Sequence, residues 1–242
     1  MNLIIEQGNT STKVAIYDKG RVEASFFYKK FSVDLLVPLF EAYDLQKGIY
    51  STVVGKDEAL AVFLQERLKY FLFFDEAVKL PVTVAYQTPQ TLGKDRIAAV
   101  VGASYLQPGK NLLVIDAGTA ITYEVIEASG VYRGGNISPG MTTRFLSLHN
   151  FTKRLPLVQE EKDIPLVGTT TVSALQAGVV NGIVFEMDGY IEALRKIYPD
   201  LLVFLAGGHS FYFETRLKNA IFANINLVLI GLNRILEYNV ER

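Results

Sequence analysis

The sequence predicts an α/β protein made of two similar halves, and three observations predict it. The first is an internal repeat. Leu3-Ile4-Ile5-Glu6-Gln7-Gly8-Asn9-Thr10 is matched by Leu113-Val114-Ile115-Asp116-Ala117-Gly118-Thr119-Ala120. Each copy is an apolar run, a carboxylate, a spacer, a glycine and small hydroxyl or amide residues. The second lies just downstream of each copy. Lys13–Tyr17 and Thr122–Ile126 are strand-like runs, each ending on a turn signal, Asp18-Lys19-Gly20 or Ala128-Ser129-Gly130. The third is that both halves mix strand-length apolar runs with helical periodicity. The two carboxylates stand 110 positions apart in a chain of 242 residues. Gln107-Pro108-Gly109-Lys110 reads as a turn between them, so the halves are expected at 1–106 and 107–242.

The remaining elements come in order. Lys47–Val54 reads as a short strand. Asp57–Phe71 reads as an amphipathic helix with apolar Leu60, Val62, Phe63, Leu64 and Leu68. Leu80–Ala85 is a strand candidate, and Asp95–Leu106 a helix burying Ile97, Ala98, Val100, Val101 and Tyr105. In the second half, Thr170–Ile197 is a long helical stretch with a candidate break at Gly189. Leu201–Leu205 is a strand running into Ala206-Gly207-Gly208. Phe211–Asn219 reads as a helix, and Ala223–Tyr238 as a strand leading into a terminal helix. Ala174, Gly178 and Gly182 recur every four residues and form a small-residue stripe on one helix face. That stripe fits either tight packing within the chain or the approach of a second chain.

Composition removes several function classes. Half of the residues (50%) are apolar, which suffices for a sizeable core. The formal net charge of −1 gives no global attraction to nucleic acid or an anionic membrane. There are no cysteines, which excludes disulfides and thiolate chemistry. His149 and His209 alone could supply imidazole, so a zinc site or a Ser-His-Asp triad is not expected. Both histidines read as surface or packing residues. The N-terminus lacks the basic start and long apolar segment of a signal peptide, and no apolar stretch is long enough to cross a bilayer. A cytoplasmic protein is expected.

The segment from Glu6 through Gln7, Gly8, Asn9, Thr10, Ser11 and Thr12 to Lys13 has the chemistry of a phosphate-binding turn. Glycine lets the backbone approach an anion and can take positive φ. The amides, hydroxyls and Lys13 supply donors and charge. A carboxylate at the strand end can hold Mg²⁺ through water. The glycine spacing is neither a Walker loop nor a dinucleotide fingerprint. One copy alone reads equally well as a polar hairpin turn; the second copy, with its carboxylate in the same place, favours function. Such a pair resembles the duplicated ribonuclease H-like fold of the actin, sugar kinase and Hsp70 superfamily (the actin-like ATPase fold). In that fold two such hairpins hold nucleotide phosphates in an interdomain cleft. Ala206-Gly207-Gly208 resembles the superfamily's adenosine-side glycine motif and reads equally as a plain strand-to-helix turn.

Tyr86-Gln87-Thr88-Pro89-Gln90-Thr91-Leu92-Gly93-Lys94-Asp95-Arg96 is the most informative stretch. Pro89 and Gly93 make a turn before a helix whose N-terminus favours the carboxylate of Asp95. The planar fork of Arg96 suits a substrate carboxylate, although an exposed Asp-Arg pair at a helix start is also an ordinary surface feature. The stretch resembles the Tyr, Pro, Gly-x-Asp-Arg pattern of the type III pantothenate kinase family, also called the Bvg accessory factor family. Three further motifs resemble that family in order: Asp116 to Thr122, Gly134 to Met141, and Gly168 to Thr171 with Ala174 and Gly178.

The resemblance implies ATP-dependent phosphorylation of pantothenate to 4′-phosphopantothenate, the first step of coenzyme A biosynthesis. It implies that Glu6 to Lys13 bind the ATP phosphates, with Thr119 touching the nucleotide from the other half. Asp95 would be the general base. Tyr86, Gly93, Lys94 and Arg96 would hold pantothenate, with Arg96 facing its carboxylate. Asp116 would help bind a monovalent cation, potassium or ammonium, and Mg²⁺ would accompany ATP. Thr171 would touch substrate bound mainly by the neighbouring subunit of a homodimer. The family's first motif usually begins with Asp. Glu6 carries its carboxylate about 1.5 Å further, one carbon–carbon bond, which a water-mediated Mg²⁺ contact accommodates more readily than a direct one. Rival readings are a superfamily kinase for another small alcohol and a non-catalytic nucleotide-binding regulator.

Overall fold

In a computed structural model, which describes residues 1–241, the chain forms two compact units. Unit 1 comprises Met1–Pro108, Gly130–Tyr132 and the C-terminal segment from Asn226; unit 2 comprises Gly109–Ser129 and Arg133–Ile225. The elements in chain order are β1 (Asn2–Gln7), β2 (Thr12–Asp18), β3 (Arg21–Tyr28), α1 (Val37–Ala42), β4 (Lys47–Thr52), α2 (Glu58–Arg67), β5 (Tyr70–Phe73), β6 (Thr83–Val84) and α3 (Lys94–Leu106). They continue with β7 (Leu112–Ala117), β8 (Ala120–Ile126), β9 (Val131–Pro139), α4 (Met141–Phe151), α5 (Thr171–Arg195), β10 (Leu202–Ala206), α6 (Ser210–Glu214), β11 (Phe222–Ala223) and α7 (Leu227–Val240).

The two units repeat one topology. The sheet of unit 1 has the order β3-β2-β1-β4-β5, with an antiparallel β1–β2–β3 meander and parallel β4 and β5. In unit 2 the same order recurs as β9-β8-β7-β10-β11, antiparallel between β7 and β8 and parallel between β7, β10 and β11. β6 adds to the first residues of β9, Thr83 opposite Val131 and Val84 opposite Tyr132, which count with unit 1. Register makes the repeat concrete. Glu6 pairs with Lys13 across the first hairpin, and Asp116 with Thr122 across the second.

Each unit has its own core. Leu3, Ile5, Val14, Ile16, Leu36, Tyr50, Leu60 and Leu64 are buried in unit 1; Leu113, Ile115, Tyr123, Phe145, Val180, Ile183, Met187 and Phe213 are buried in unit 2. Asp57 caps α2 by accepting from Leu60 N at 3.1 Å, and Thr170 and Ser173 close a capping box on α5.

Several expected elements take different bounds. The helix expected over Asp57–Phe71 ends at Arg67, and Tyr70–Phe73 forms β5. Tyr105, expected to be buried, is about half exposed, as is Val62 on α2. Only Thr83–Val84 of the Leu80–Ala85 candidate is strand, and the helix expected over Phe211–Asn219 starts at Ser210 and ends at Glu214. The α5 helix runs unbroken through Gly189, where an added Cβ would meet nothing within 4 Å. The turn at Gln107–Lys110 spans the first crossing between units, whereas α7 belongs to unit 1 by packing. It crosses α3 closely enough that a Cβ on Gly231 would come 1.8 Å from the carbonyl oxygen of Ala98.

Candidate active site

In unit 1, the β1–β2 turn brings Glu6 and Lys13 side by side, with Lys13 Nζ 3.4 Å from Glu6 Oε2. That buried oxygen has no hydrogen-bond partner. Burial pushes the Glu6 carboxyl up. Lys13 opposes this, and the charge of Asp95 adds to it. Two residues remote in sequence, Glu6 and Asp95, therefore share one electrostatic environment. Gly8 N donates to Ser11 O at 2.9 Å to close the turn. The turn does not use positive φ at Gly8, contrary to one reason for expecting glycine there. Asn9 and Thr10 are exposed, Ser11 is half-buried and Thr12 is buried. The Gln7 side chain points into the fold, accepting from the Tyr50 hydroxyl at 2.5 Å, and that hydroxyl accepts from Asp57 N at 3.2 Å.

The start of α3 carries the second cluster of unit 1. Asp95 Oδ1 accepts from Arg96 N at 2.8 Å, so its carboxylate folds over the first turn of the helix. A Cβ on Gly93 would lie 2.5 Å from that Oδ1, so the residue before the helix must be small for this rotamer to stand. Arg96 is 6% exposed, with its guanidinium 5.6 Å from the centre of the Tyr86 ring. Lys94 turns to Glu76, with Nζ 3.1 Å from Oε1, and lies 5.8 Å from the Phe74 ring centre. Its hydrogen bond holds the Glu76 carboxyl below the usual carboxylate range.

Unit 2 carries the counterpart hairpin. Asp116 is the penultimate residue of β7, and Gly118 N donates to Ala120 O at 3.0 Å. The Ala206-Gly207-Gly208 turn lies against it. Gly207 has φ of 88°, and a Cβ there would approach Asp116 Oδ1 to 2.5 Å and Ala117 C to 2.6 Å. Only glycine satisfies both demands. Gly140 N and Thr143 Oγ1 donate to the Thr119 carbonyl at 3.0 and 2.7 Å. The third and second motifs are thus one packed cluster, a link that spacing alone does not reveal.

Thr171 opens α5 and is exposed. It lines a groove of about 650 Å³ together with Pro139, Arg144, Leu155, Ala174 and Gly178. A Cβ on Gly178 would meet nothing within 4 Å, so nothing in the chain packs on the small-residue stripe there. Another groove, of about 1240 Å³ and lined by Leu166, Phe185 and Phe211 among others, contains none of the expected site residues. His149 Nδ1 lies 2.8 Å from the Leu155 carbonyl, and His209 precedes α6. Among the described residues no three His, Asp or Glu side chains cluster as a metal cage, and no helix is long and apolar enough to cross a membrane.

Two units of one topology, each opening a carboxylate-bearing hairpin, define the actin-like ATPase and sugar kinase class. A glucokinase of the ROK family from Streptomyces griseus shares this fold, with TM-score 0.53 at 10% identity over 98% of this chain and 99% of that one. A conserved Baf family protein from Campylobacter jejuni does so with TM-score 0.62 at 24% identity, over 99% and 100%. The sequence model of the type III pantothenate kinase family matches residues 2–193. A type III pantothenate kinase from Phocaeicola vulgatus is 50% identical over 240 residues, 99% of each chain. The chain belongs to the type III pantothenate kinase family.

Proposed function

We propose that the chain transfers the γ-phosphoryl group of ATP to the primary hydroxyl of pantothenate, making 4′-phosphopantothenate for coenzyme A biosynthesis in the cytoplasm. Family membership supports the reaction. The observation that carries it to residues is the electrostatic coupling of Asp95, at the start of α3, to Glu6 on the β1–β2 hairpin. A base and a phosphate-side carboxylate are thereby neighbours in one unit.

Asp95 accepts the proton of the alcohol as its oxygen attacks the γ-phosphorus and ADP leaves. Gly93 keeps the carboxylate aimed, and buried Arg96, backed by Tyr86, binds the substrate carboxylate. Lys94 steadies this segment through Glu76. Gly8 to Lys13 offer the β- and γ-phosphates backbone N–H groups, hydroxyls and an ammonium, and Lys13 leaves Glu6 for the phosphates when they arrive. In unit 2, Thr119 contacts nucleotide and Asp116 helps hold a monovalent cation. Glu6 fits Mg²⁺ through water because its Oε2, which has no hydrogen-bond partner, is left open once Lys13, 3.4 Å away, turns to the phosphates. When bound, Mg²⁺ neutralises charge on the transferring group.

The active form is a homodimer in which Thr171 touches substrate held by the other subunit. Gly178 stands open, and the groove it lines carries apolar Leu148, Leu155, Leu175 and Val179, as a face awaiting a second copy would. The test is ADP release assayed with and without pantothenate and potassium. Release should require pantothenate and rise with potassium or ammonium. Release indifferent to pantothenate, or its absence, would overturn the substrate assignment. Full turnover by a species that light scattering shows to be monomeric would overturn the shared site.

A further inference from the structure

Arg144 lies in the first turn of α4 with its guanidinium engaged on several sides. Nε donates to the Pro139 carbonyl at 2.8 Å, and Nη2 donates to Ser138 Oγ at 2.9 Å. Nη2 also meets Glu186 Oε2, on α5, at 2.5 Å. Glu186 Oε1 accepts from the Tyr123 hydroxyl of β8 at 2.7 Å. One ion pair therefore ties together β8, the end of β9, α4 and α5, as the rigid fork of arginine allows and a lysine would not.

The backbone it clamps is the one that supports the second hairpin. Ser138 and Pro139 lead into buried Gly140. A Cβ on Gly140 would stand 2.1 Å from the Gly118 carbonyl oxygen and 2.6 Å from that of Thr119. The two donors to the Thr119 carbonyl, Gly140 N and Thr143 Oγ1, lie between Pro139 and Arg144 in sequence. Because Gly140 sits against the Gly118 and Thr119 carbonyls with no room for a methyl group and donates to one of them, movement of residues 138–140 moves the Gly118–Thr119 turn.

We propose that the Arg144–Glu186 pair is a positioning device for nucleotide binding: it fixes Ser138–Gly140 and, through them, the Gly118–Thr119 turn. This rests on the reading of Thr119 as a nucleotide contact. Arg144 itself touches no nucleotide. The pair remains charged at neutral pH. Burial would push the Glu186 carboxyl up, but hydrogen bonds from Tyr123, Arg144 and Ser138 more than offset it and hold that carboxyl below its usual range.

The experiment compares the full-length wild type with Arg144→Met and with the double variant Arg144→Met/Glu186→Met. Calorimetry reads the Kd for Mg²⁺-AMPPNP, and thermal melting reads Tm. Arg144→Met leaves a half-buried carboxylate unpaired, so Tm falls and Kd rises by about tenfold, the scale of a lost charge-assisted hydrogen bond. The double variant removes both charges, so Tm recovers in large part, short of full because the Tyr123 hydroxyl has lost its acceptor. Its Kd stays about tenfold weak, because the Pro139 carbonyl still lacks its donor. A Kd that recovers together with Tm, or one unchanged in the double variant, overturns the proposal. Should the single variant aggregate, the double variant decides by the same criterion. Pantothenate is absent from this assay. A wild type that binds AMPPNP but never phosphorylates pantothenate refutes the substrate assignment and leaves this proposal intact.

Discussion

Asp95 and Arg96 are adjacent in sequence and opposite in environment. The carboxylate is half-exposed beside the first hairpin; the guanidinium is buried against Tyr86. They should therefore fail differently. Asp95→Asn keeps the shape and removes the carboxylate proposed as the base, so kcat should fall by at least about 10²-fold with little change in KM for pantothenate. Arg96→Ala should chiefly raise KM for pantothenate. Steady-state kinetics separates the two, and an Arg96 effect confined to ATP would show that it serves another ligand. Glu6 adds a pH signature. Its carboxyl is pushed up in the folded chain by burial, against the pull of Lys13 and with the help of Asp95. The folded state thus holds a proton that the unfolded state releases at the ordinary carboxylate value, and stability falls as pH rises through that interval. Glu6→Gln should accordingly melt above the nucleotide-free wild type at neutral pH. The gap should close as pH drops to the ordinary carboxylate range. A gap that widens in acid would mean that the ion pair with Lys13 outweighs burial. Asp95 and Arg96 could be singled out as candidates because they sit within one stretch. The nearness of Glu6 to Asp95 was not, since it depends on tertiary packing between separate parts of unit 1.

At the scale of elements, legibility tracked length and pattern. The α3 and α5 helices carry many buried apolar residues at helical spacing and were readable. β5 has only Tyr70–Phe73, and its apolar run merges with the α2 pattern. β3 is a largely exposed edge strand that buries no residue fully, and β9 holds the glycines of a motif where apolar alternation would otherwise show. Burial rather than intrinsic preference defines such strands, so a single sequence understates them. The short segment before α3 shows the converse, a site feature controlled by one small residue. Gly93 has φ of −56° and ψ of 132°, which alanine adopts freely, yet a Cβ there would meet Asp95 Oδ1 at 2.5 Å. Gly93→Ala should leave Tm nearly unchanged while turning the carboxylate aside, and kcat should drop by roughly 10- to 100-fold. Circular dichroism melting beside kinetics checks both effects. An equal loss of stability would make Gly93 a folding residue and nothing more.

At the scale of the whole molecule, the repeat was legible as two hairpins at matching positions, but the partner of the last helix was not. Apolar residues in Leu227–Leu236 announce a buried helix without naming what it buries against. The answer lies in two glycines. A Cβ on Gly102 would meet the Leu227 carbonyl oxygen at 2.2 Å, and one on Gly231 would meet that of Ala98 at 1.8 Å. The α3 and α7 backbones approach so closely that neither position accepts a methyl group without separating the helices. Gly231→Ala should therefore cost about 1–3 kcal/mol, the usual penalty of overpacking, although alanine is the better helix former. Gly189→Ala provides the matched control, because that glycine lies in α5 with open space where a Cβ would go. There the helix preference acts alone, and the variant should gain about 0.5–1 kcal/mol. Urea unfolding reads both through the midpoint at unchanged slope. Opposite signs at the two positions would attribute the union of α7 with unit 1 to the glycine crossing. Because the same α3 presents Asp95, part of any loss at Gly231 should also appear in kcat. If both variants gained stability, the helices would stand further apart than these backbone positions require, and the C-terminal helix would have to be held to unit 1 by its apolar side chains alone.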